Sequence, residues 1–502
     1  MHRRQFVGAG VGLLLAGYTL PSRALTAVYA GLQSVDSDIQ ALTLDDRQQI
    51  IPRAAVQELA DSLRGRLLLP GKTGYELARQ VLNPAIDKHP ALIVQPTGPA
   101  DVQSAVQFAG ANNLVIAVKC GGHSFSGKST CDGGLLIDLS RYRNVHVDSE
   151  RRLAYVTGGS LLGALDHETL ARGLVTTAGT VSHTGVGGLA TGGGFGRVGR
   201  RFGLALDNIH AVDVVGADGQ LRHASAEENP DLYWGVRGGG GNFGVVTNFE
   251  FHLHPMQRKV IGGKLMYSMD KARALLETYA EHSPRMPDEM YIDCGVAYPP
   301  GGSAGFANLD ICYSGPPADY EKYMRPFASL GEPLQNGVRE VDYVALQRSG
   351  DFSDPRAMVS YVKDGFLDGI PQAMVNDILE GLEADPGRFT QFYFQHAGGA
   401  IGRVEPGDTA FVQRYVTHDA MVILAWPPTA DSDKHVAYIR DYWGQLEPYT
   451  RGFYTNVEDS ARLVQMQSNF EGNFQRLVSL KDRYDPRNLF RLNANIKPSA
   501  MG

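Results

Sequence analysis

Cysteine is scarce in this chain: four residues in 502, Cys120, Cys131, Cys294 and Cys312, with no CxxC spacing among them. That excludes a disulfide framework and argues against a cysteine-built metal centre, so no metal site is expected. A bridge within Cys120–Cys131 or Cys294–Cys312 stays open, and free buried thiols are the favoured reading. Basic charge is also short, with 47 Lys and Arg against 54 Asp and Glu, a net charge of −7 and a pI near 6.1. No Lys/Arg run supplies a local positive field, which excludes nucleic acid as a partner. The apolar run from Phe6 to Leu20 falls short of the ~20 residues that a membrane span needs. No GxGxxG fingerprint sits between a strand and a helix with an acid ~20 positions on, and no GxxxxGK[ST] loop occurs, which disfavours Rossmann and P-loop sites. No period of ~20–50 residues recurs, as a solenoid or propeller would require.

What the chain does have is length, an ordinary globular composition and glycine. Its 43% hydrophobic and 20% charged residues suit a protein of two or more lobes. The 59 glycines exceed the usual share of roughly 7%. The first 35 residues lack acidic side chains and carry Arg3-Arg4 ahead of the apolar run, followed by Pro21-Ser22-Arg23-Ala24. This reads as an export signal, and Arg3-Arg4-Gln5-Phe6 resembles the twin-arginine type. The expectation is an exported protein, periplasmic or secreted, that engages export machinery and keeps no stable membrane span after processing. An uncleaved interfacial start is the alternative, and no cleavage site is clear.

Along the chain, residues 36–89 form a polar lead-in. A strand at 91–94, a helix carrying Val102, Ala105, Val106 and Ala109, and a strand at 114–118 lead into Cys120-Gly121-Gly122-His123-Ser124. Strands at 135–139 and 153–156 follow, then a helix capped by Ser160 and ended by Gly173. A second glycine cluster runs from Gly185 to Gly196. Apolar residues from Ile209 to Val215 enter an Asp218-Gly219 hairpin, and a third glycine run occupies Gly238–Gly244. Beyond about residue 256 glycine thins out, which marks a second lobe reaching to about 450. In its strand Gln391–His396, alternation puts Tyr393 and Gln395 on one face and His396 on the other, as an exposed histidine. Leu463, Phe470, Phe474, Leu477 and Tyr484 share one helix face, stopped by Asp485-Pro486.

An imidazole on a glycine turn is placed to hold a flat group, since glycine lets backbone amides crowd around a phosphate or diphosphate. Three such clusters, spread from Gly121 to Gly244, suit one long dinucleotide held along its length.

The order of Gly121-Gly122-His123-Ser124, Gly185–Gly196, Asp207-Asn208, Asp231–Thr247 and Tyr484-Asp485-Pro486 followed by Asn493-x-Asn495-Ile496 resembles the berberine bridge enzyme-like branch of the vanillyl-alcohol oxidase family. The middle lobe matches more weakly, through Gly398-Gly399-Ala400-Ile401 and Asp408–Phe411. The resemblance implies an α+β fold. A PCMH-type FAD-binding domain of two α/β subdomains would carry an inserted substrate domain of antiparallel sheet covered by helices. The implied divisions are 1–35 (export signal), 36–89 (lead-in), 90–255 (FAD-binding), 256–450 (substrate) and 451–502 (completing the FAD-binding part). It implies FAD held by Cys120, Gly121, Gly122, His123, Ser124, Gly127, Val181, Thr184, Gly187, Gly188, Gly193, Gly194, Val245, Asn493 and Asn495. His123 would bond covalently to the flavin 8α-methyl. Doubly tethered members use a cysteine where this chain has Val181, so a single bond is expected, as in 6-hydroxy-D-nicotine oxidase-like, mono-covalent members. Asp207 and Asn208 read as turn residues near the adenine, and Arg237 as a partner of either a phosphate or a neighbouring acid.

The reaction implied is hydride transfer from a small alcohol, sugar or amine to the flavin, with loss of an adjacent O–H or N–H proton to a base. Oxygen would take the electrons, with Thr184 at the position that governs its access. A quinone- or carrier-linked dehydrogenase and a turnover-deficient ligand-binding protein are the alternatives. Candidates for the base are Tyr454, Tyr393, Gln395 and His183. Tyr454 opens a Tyr-x-Asn-Tyr-x-Asp-like element whose second tyrosine is Val457 here.

Overall fold

The computed structural model describes residues 34–299, 304–354, 356–457 and 463–501. The export-signal reading therefore lies, except for Ser34 and Val35, outside the described residues. The protein is α+β, built on three principal sheets.

The first sheet has four strands in the order Arg66–Leu68, Leu92–Gln95, Leu135–Asp138, Ile116–Lys119, the last three parallel. Its strands are unbroken apolar runs because both faces are covered, as parallel pairing requires. The helix Pro99–Ala111 starts with proline at its first turn, where a missing N–H costs nothing, and buries Val102, Ala105, Val106 and Ala109. The lead-in does more than approach the fold. It supplies the strand Arg66–Leu68 and packs Val56, Leu59 and Leu63 into the same core.

The second sheet is antiparallel, in the order Leu221–Ser225, Ile209–Val215, Val245–His252, Leu153–Thr157, Val145–Asp148. The Asp218-Gly219 hairpin forms as expected: Val215 pairs with Leu221, and Gly219 sits at φ +73°. The helix Leu162–Leu170 is not capped by Ser160. That hydroxyl instead bonds the carbonyl of Asn144 at 2.9 Å, and the cap position belongs to Leu161.

The third sheet is antiparallel throughout and runs Gln335–Asn336, Lys259–Ser268, Phe306–Tyr313, Met290–Tyr298, Phe389–His396, His418–Trp426, Val359–Leu367. The helices Ala272–His282, Gln372–Glu383 and Ser432–Leu446 cover one face, burying Ile292, Cys294, Leu309, Phe392, Phe394 and Val422. Each large side chain sealed there contributes roughly 1.5–3 kcal/mol. Because helices cover that face, His396 is not exposed. It is 2% accessible, stacks on His418 with centroids 5.5 Å apart, and its Nδ1 accepts the Ile292 N–H. Burial holds its pKa well below the usual imidazole range.

The expected C-terminal helix is two helices, Leu463–Phe470 and Phe474–Tyr484, broken by a 3-10 turn with Glu471 at φ +43°. The second docks on the third glycine run through Lys481, whose fully buried Nζ bonds Asp485 (2.7 Å) and the carbonyls of Asn242 (2.8 Å) and Phe490 (3.0 Å). All four cysteines are free. Among the described residues no helix is long and apolar enough to cross a membrane.

Candidate active site

A cavity of about 530 Å³ runs between the glycine clusters and the open face of the third sheet. Its first wall begins where the strand Ile116–Lys119 ends. There Lys119 lies opposite Asp138 in register, with Nζ 3.5 Å from that carboxylate, so the start of the turn is pinned. Gly122 then adopts φ +70°, a conformation that a side chain strains. Gly121 passes so close to the second cluster that a Cβ would lie 2.4 Å from the Gly185 nitrogen. The turn delivers His123 to the cavity wall.

His123 is held on both ring nitrogens. Its Nε2 is 2.5 Å from His183 Nδ1, and its Nδ1 is 3.3 Å from Thr184 Oγ1. The backbone N–H of Phe352 donates to His183 Nε2 at 3.2 Å, so that nitrogen carries a lone pair and the ring proton sits on Nδ1. His183 then donates to His123 Nε2, and His123 donates to Thr184. Burial, and then the neighbouring His183, push the His123 pKa down to about 3, so the ring is neutral and its one ring lone pair, on Nε2, accepts from His183.

The same wall takes Cys120, Gly121, Gly122 and Ser124 from the turn, and Val181, Thr184, Gly187 and Gly188 from the second cluster. Val245 and Asn493 complete it beside Gly239, Gly240 and Gly241. The Cys120 thiol, lifted by burial to about 11, is not a thiolate at neutral pH. A methyl group at Gly188 or Gly240 would meet no protein atom within 4 Å, so both glycines face open space. Ser129 Oγ, also in the wall, is buried with no hydrogen-bond partner among the described residues. Bare backbone, open space and an unpaired hydroxyl fit a long cofactor carrying a diphosphate.

Other expected residues lie outside the wall. Gly127 turns at φ +73° against Ile86 and offers its carbonyl to Lys88. Gly193 and Gly194 pack around Tyr454, whose hydroxyl accepts the Gly194 N–H at 2.8 Å. Asn495 is one step beyond the cavity, its buried Oδ1 unpaired among the described residues. His183 stands behind His123 and does not line the cavity. Arg237 bonds the Asp408 carbonyl and lies over the Tyr233 ring. Asp207 forms a two-pronged pair with Arg414, both contacts 2.9 Å, and Asn208 closes a turn onto Phe202 and Leu204.

The second wall is one face of the third sheet. Strand alternation turns Gln391, Tyr393 and Gln395 toward the cavity together with Asp293, Asp310, Asn308, Lys264 and Met421. Tyr393 donates to Met421 Sδ at 2.8 Å, and burial pushes its phenol well above the usual range. Tyr454 also lines the cavity but is packed edge-on against Phe195. Its oxygen accepts from Gly194 and from Asn456 Nδ2 at 2.8 Å each, and burial raises its pKa strongly. Glu458 and Asp459, from the same sequence element, lie outside the described residues.

Sequence reasoning missed four residues. Asp293 and Asp310 meet across paired strands, and Arg197, 3% accessible, reaches them from just past the second glycine cluster. Asn242 ties the tail to the third glycine run, donating to the Gly239 and Ala494 carbonyls and accepting the Ile496 N–H. Only the Asn242 role had a sequence signal, a lone amide inside a glycine run.

The FAD binding domain family matches residues 90–225, and the berberine and berberine-like family matches residues 454–497. An FAD-linked oxidoreductase of Dictyostelium discoideum is 31% identical over 460 residues, 91% of this chain and 99% of that protein. Chitooligosaccharide oxidase of Gibberella zeae is 30% identical over 443 residues, 82% of this chain and 88% of that one. The crystal structure of 6-hydroxy-D-nicotine oxidase from Arthrobacter nicotinovorans matches with a TM-score of 0.79 at 27% identity, covering 87% of this chain and 99% of its own. The two family matches fall on the glycine wall and on the tail that closes it, and the chain belongs to the berberine bridge enzyme-like FAD-linked oxidoreductases.

Proposed function

We propose that this FAD-linked oxidoreductase is an exported oxidase of a small alcohol, sugar or amine, with FAD tethered through His123 alone. The observation that carries the reading is the cavity's construction: a neutral, buried His123 on a wall of bare backbone, facing a sheet of polar side chains. The relatives named for oxidation of a chitooligosaccharide and of 6-hydroxy-D-nicotine support a hydroxylated or amine-bearing substrate.

FAD, when bound along the first wall, would supply a hydride acceptor whose electrons oxygen could take. The chain's own residues do the rest. Gly121, Gly122, Gly187, Gly188 and Gly240 leave room for the cofactor's length, and Ser129 offers a hydroxyl to an oxygen on it. Val181 has no sulfur with which to form a second tether. Tyr393, Gln395 and Asn308 orient the substrate from the sheet, which converts an encounter into an aligned reaction.

Acid precipitation tests the tether: the pellet of the parent protein stays yellow, and that of His123→Ala does not. A yellow His123→Ala pellet refutes it. Peroxide released during substrate turnover identifies the oxidase, whereas fast dye reduction without peroxide identifies a quinone- or carrier-linked dehydrogenase. A flavin that no alcohol, sugar or amine bleaches anaerobically leaves a ligand-binding protein. Residues 1–35 fused to a reporter test export, and a reporter kept in the cytoplasm overturns it.

A further inference from the structure

The reaction needs a group that takes the O–H or N–H proton, and the cavity contains few. Tyr454 already accepts two hydrogen bonds, Tyr393 is turned onto Met421 Sδ, and Gln395 has no basic site at neutral pH. His183 is outside the wall, and the proposed function commits His123 to the cofactor. The carboxylates among the described lining residues are Asp293 and Asp310.

These two sit directly opposite each other on antiparallel strands, with Lys264 next in the same row. Like charges in such a cross-strand pair repel, so the pair is stable only if one carboxylate gains a cation or the other a proton. The cation goes to Asp310. Arg197 Nη1 lies 3.3 Å from Asp310 Oδ1, and Nη2 donates to Oδ2 at 3.3 Å. Asp293 has neutral partners instead, the Tyr291 hydroxyl at 2.7 Å and the backbone N–H of His396 at 2.9 Å. Each bonds one carboxylate oxygen and leaves that oxygen a lone pair.

Resting on the proposed function, we propose that Asp293 is the proton acceptor of the reaction and that Asp310, paired with Arg197, is the positioning residue that tunes it. Burial and then the Asp310 charge lift the Asp293 pKa to about 7, while Tyr291 and His396 pull the other way through their hydrogen bonds and Arg197 through its charge. Lys264 and Asp419 complete the charged and titratable groups of the same sheet row. Asp419 is fully buried, and desolvation holds its pKa well above the carboxylate range. Two carboxylates in contact, with environments that separate their affinities for a proton, are how a protein makes a base that works near neutral pH.

In the step, the substrate's O–H or N–H proton passes to the Asp293 carboxylate. The hydrogen on the adjacent carbon leaves with its electron pair to oxidised FAD, and a C=O or C=N bond forms. The substrate loses two electrons and two hydrogens, one as a proton and one as hydride. Asp293 returns its proton to solvent before the next turnover.

The test uses the flavin-loaded protein labelled with 13C-carboxyl aspartate. In the parent, two carboxyl resonances titrate with midpoints near 7, those of Asp293 and of Asp166, buried on the helix Leu162–Leu170, and Asp166→Asn identifies the second. The Asp293 resonance disappears in Asp293→Asn and moves to lower pH in Asp310→Asn, since a like charge has been removed. Stopped-flow bleaching with N,N′-diacetylchitobiose and with 6-hydroxy-D-nicotine gives the second readout. Asp293→Asn slows bleaching about 10²–10⁴-fold, with flavin absorbance retained. Asp310→Asn shifts the acid limb of the rate profile downward, which a merely structural loss does not do. The proposal is overturned if Asp293→Asn removes no neutral-range resonance, if Asp166 accounts for the only one, or if Asp293→Asn bleaches within about tenfold of the parent. If neither probe nor any other alcohol, sugar or amine bleaches the parent, the substrate reading fails, and the carboxyl titration still decides the assignment of Asp293.

Discussion

Around His123 the cavity wall is main chain. Gly121, Gly122, Gly187, Gly188 and Gly239–Gly241 line it, Gly188 and Gly240 face open space, and a side chain at Gly121 would strike the Gly185 nitrogen. Across the cavity, on the sheet that runs from Lys259 to Trp426, the wall is side chain: Asp293, Asp310, Asn308, Tyr393 and Gln395 project from a backbone whose hydrogen bonds are spent on the sheet. A wall of backbone binds whatever shares a common polar skeleton, and any Cβ in the wrong place destroys it. A wall of alternating side chains can change its chemistry one residue at a time without disturbing the strands beneath. On the proposed function, cofactor binding falls to the first wall and selection of substrate to the second.

The contrast can be broken at its strongest point by Gly121→Val. The added atoms meet the backbone of Gly185 and His183, so bound flavin falls below about a tenth of the parent level in the ratio of visible to ultraviolet absorbance. Near-parent loading would show that the first wall yields and that the contrast is wrong. The next largest effect is at the tail that closes that wall. Asp485→Ala leaves the Lys481 ammonium buried without its carboxylate and costs about 3–5 kcal/mol in denaturant unfolding. A loss below about 1 kcal/mol would mean that the tail is not a structural part of the wall.

The smallest effect sharpens the second wall. The Asp293 pKa is raised from its unfolded value to about 7, so folding favours the protonated form. That contribution is complete below about pH 4 and is lost as pH rises through 7. Asp293→Asn has no such loss. Its stability relative to the parent should improve by about 2 kcal/mol between pH 4 and pH 8, roughly half of the full linkage because the carboxyl partly faces the cavity. A pH-independent difference would show that Asp293 is not held in a protonated-favouring site.

The first wall was legible in the order of residues because glycine clusters and His123 occur as contiguous words, and Val181 could be read in place. The second was not. On a strand covered by helices on one face, Asp293 sits between Ile292 and Cys294, and Asp310 between Leu309 and Ile311, so each reads as a lone acid in an apolar run. Their meeting depends on register, which pairs residues 17 positions apart in this hairpin, and the fold brings Arg197 to them from the turn between two helices. His396 misled for a related reason: alternation identified its face correctly, but only the packed helices decided that this face was buried too. The single C-terminal helix failed at Glu471, where a positive φ interrupts a pattern that side-chain spacing alone cannot see.

By itself the sequence determined the local conformations that a side chain strains, the glycine turn at Gly122 and the hairpin at Gly219, because these depend on steric limits within a few residues. Tertiary structure decided which carboxylate has a cation and which is left for a proton. Charge interactions act across space rather than along the chain, and only folding brings Arg197, Asp310 and Asp293 within reach of one another.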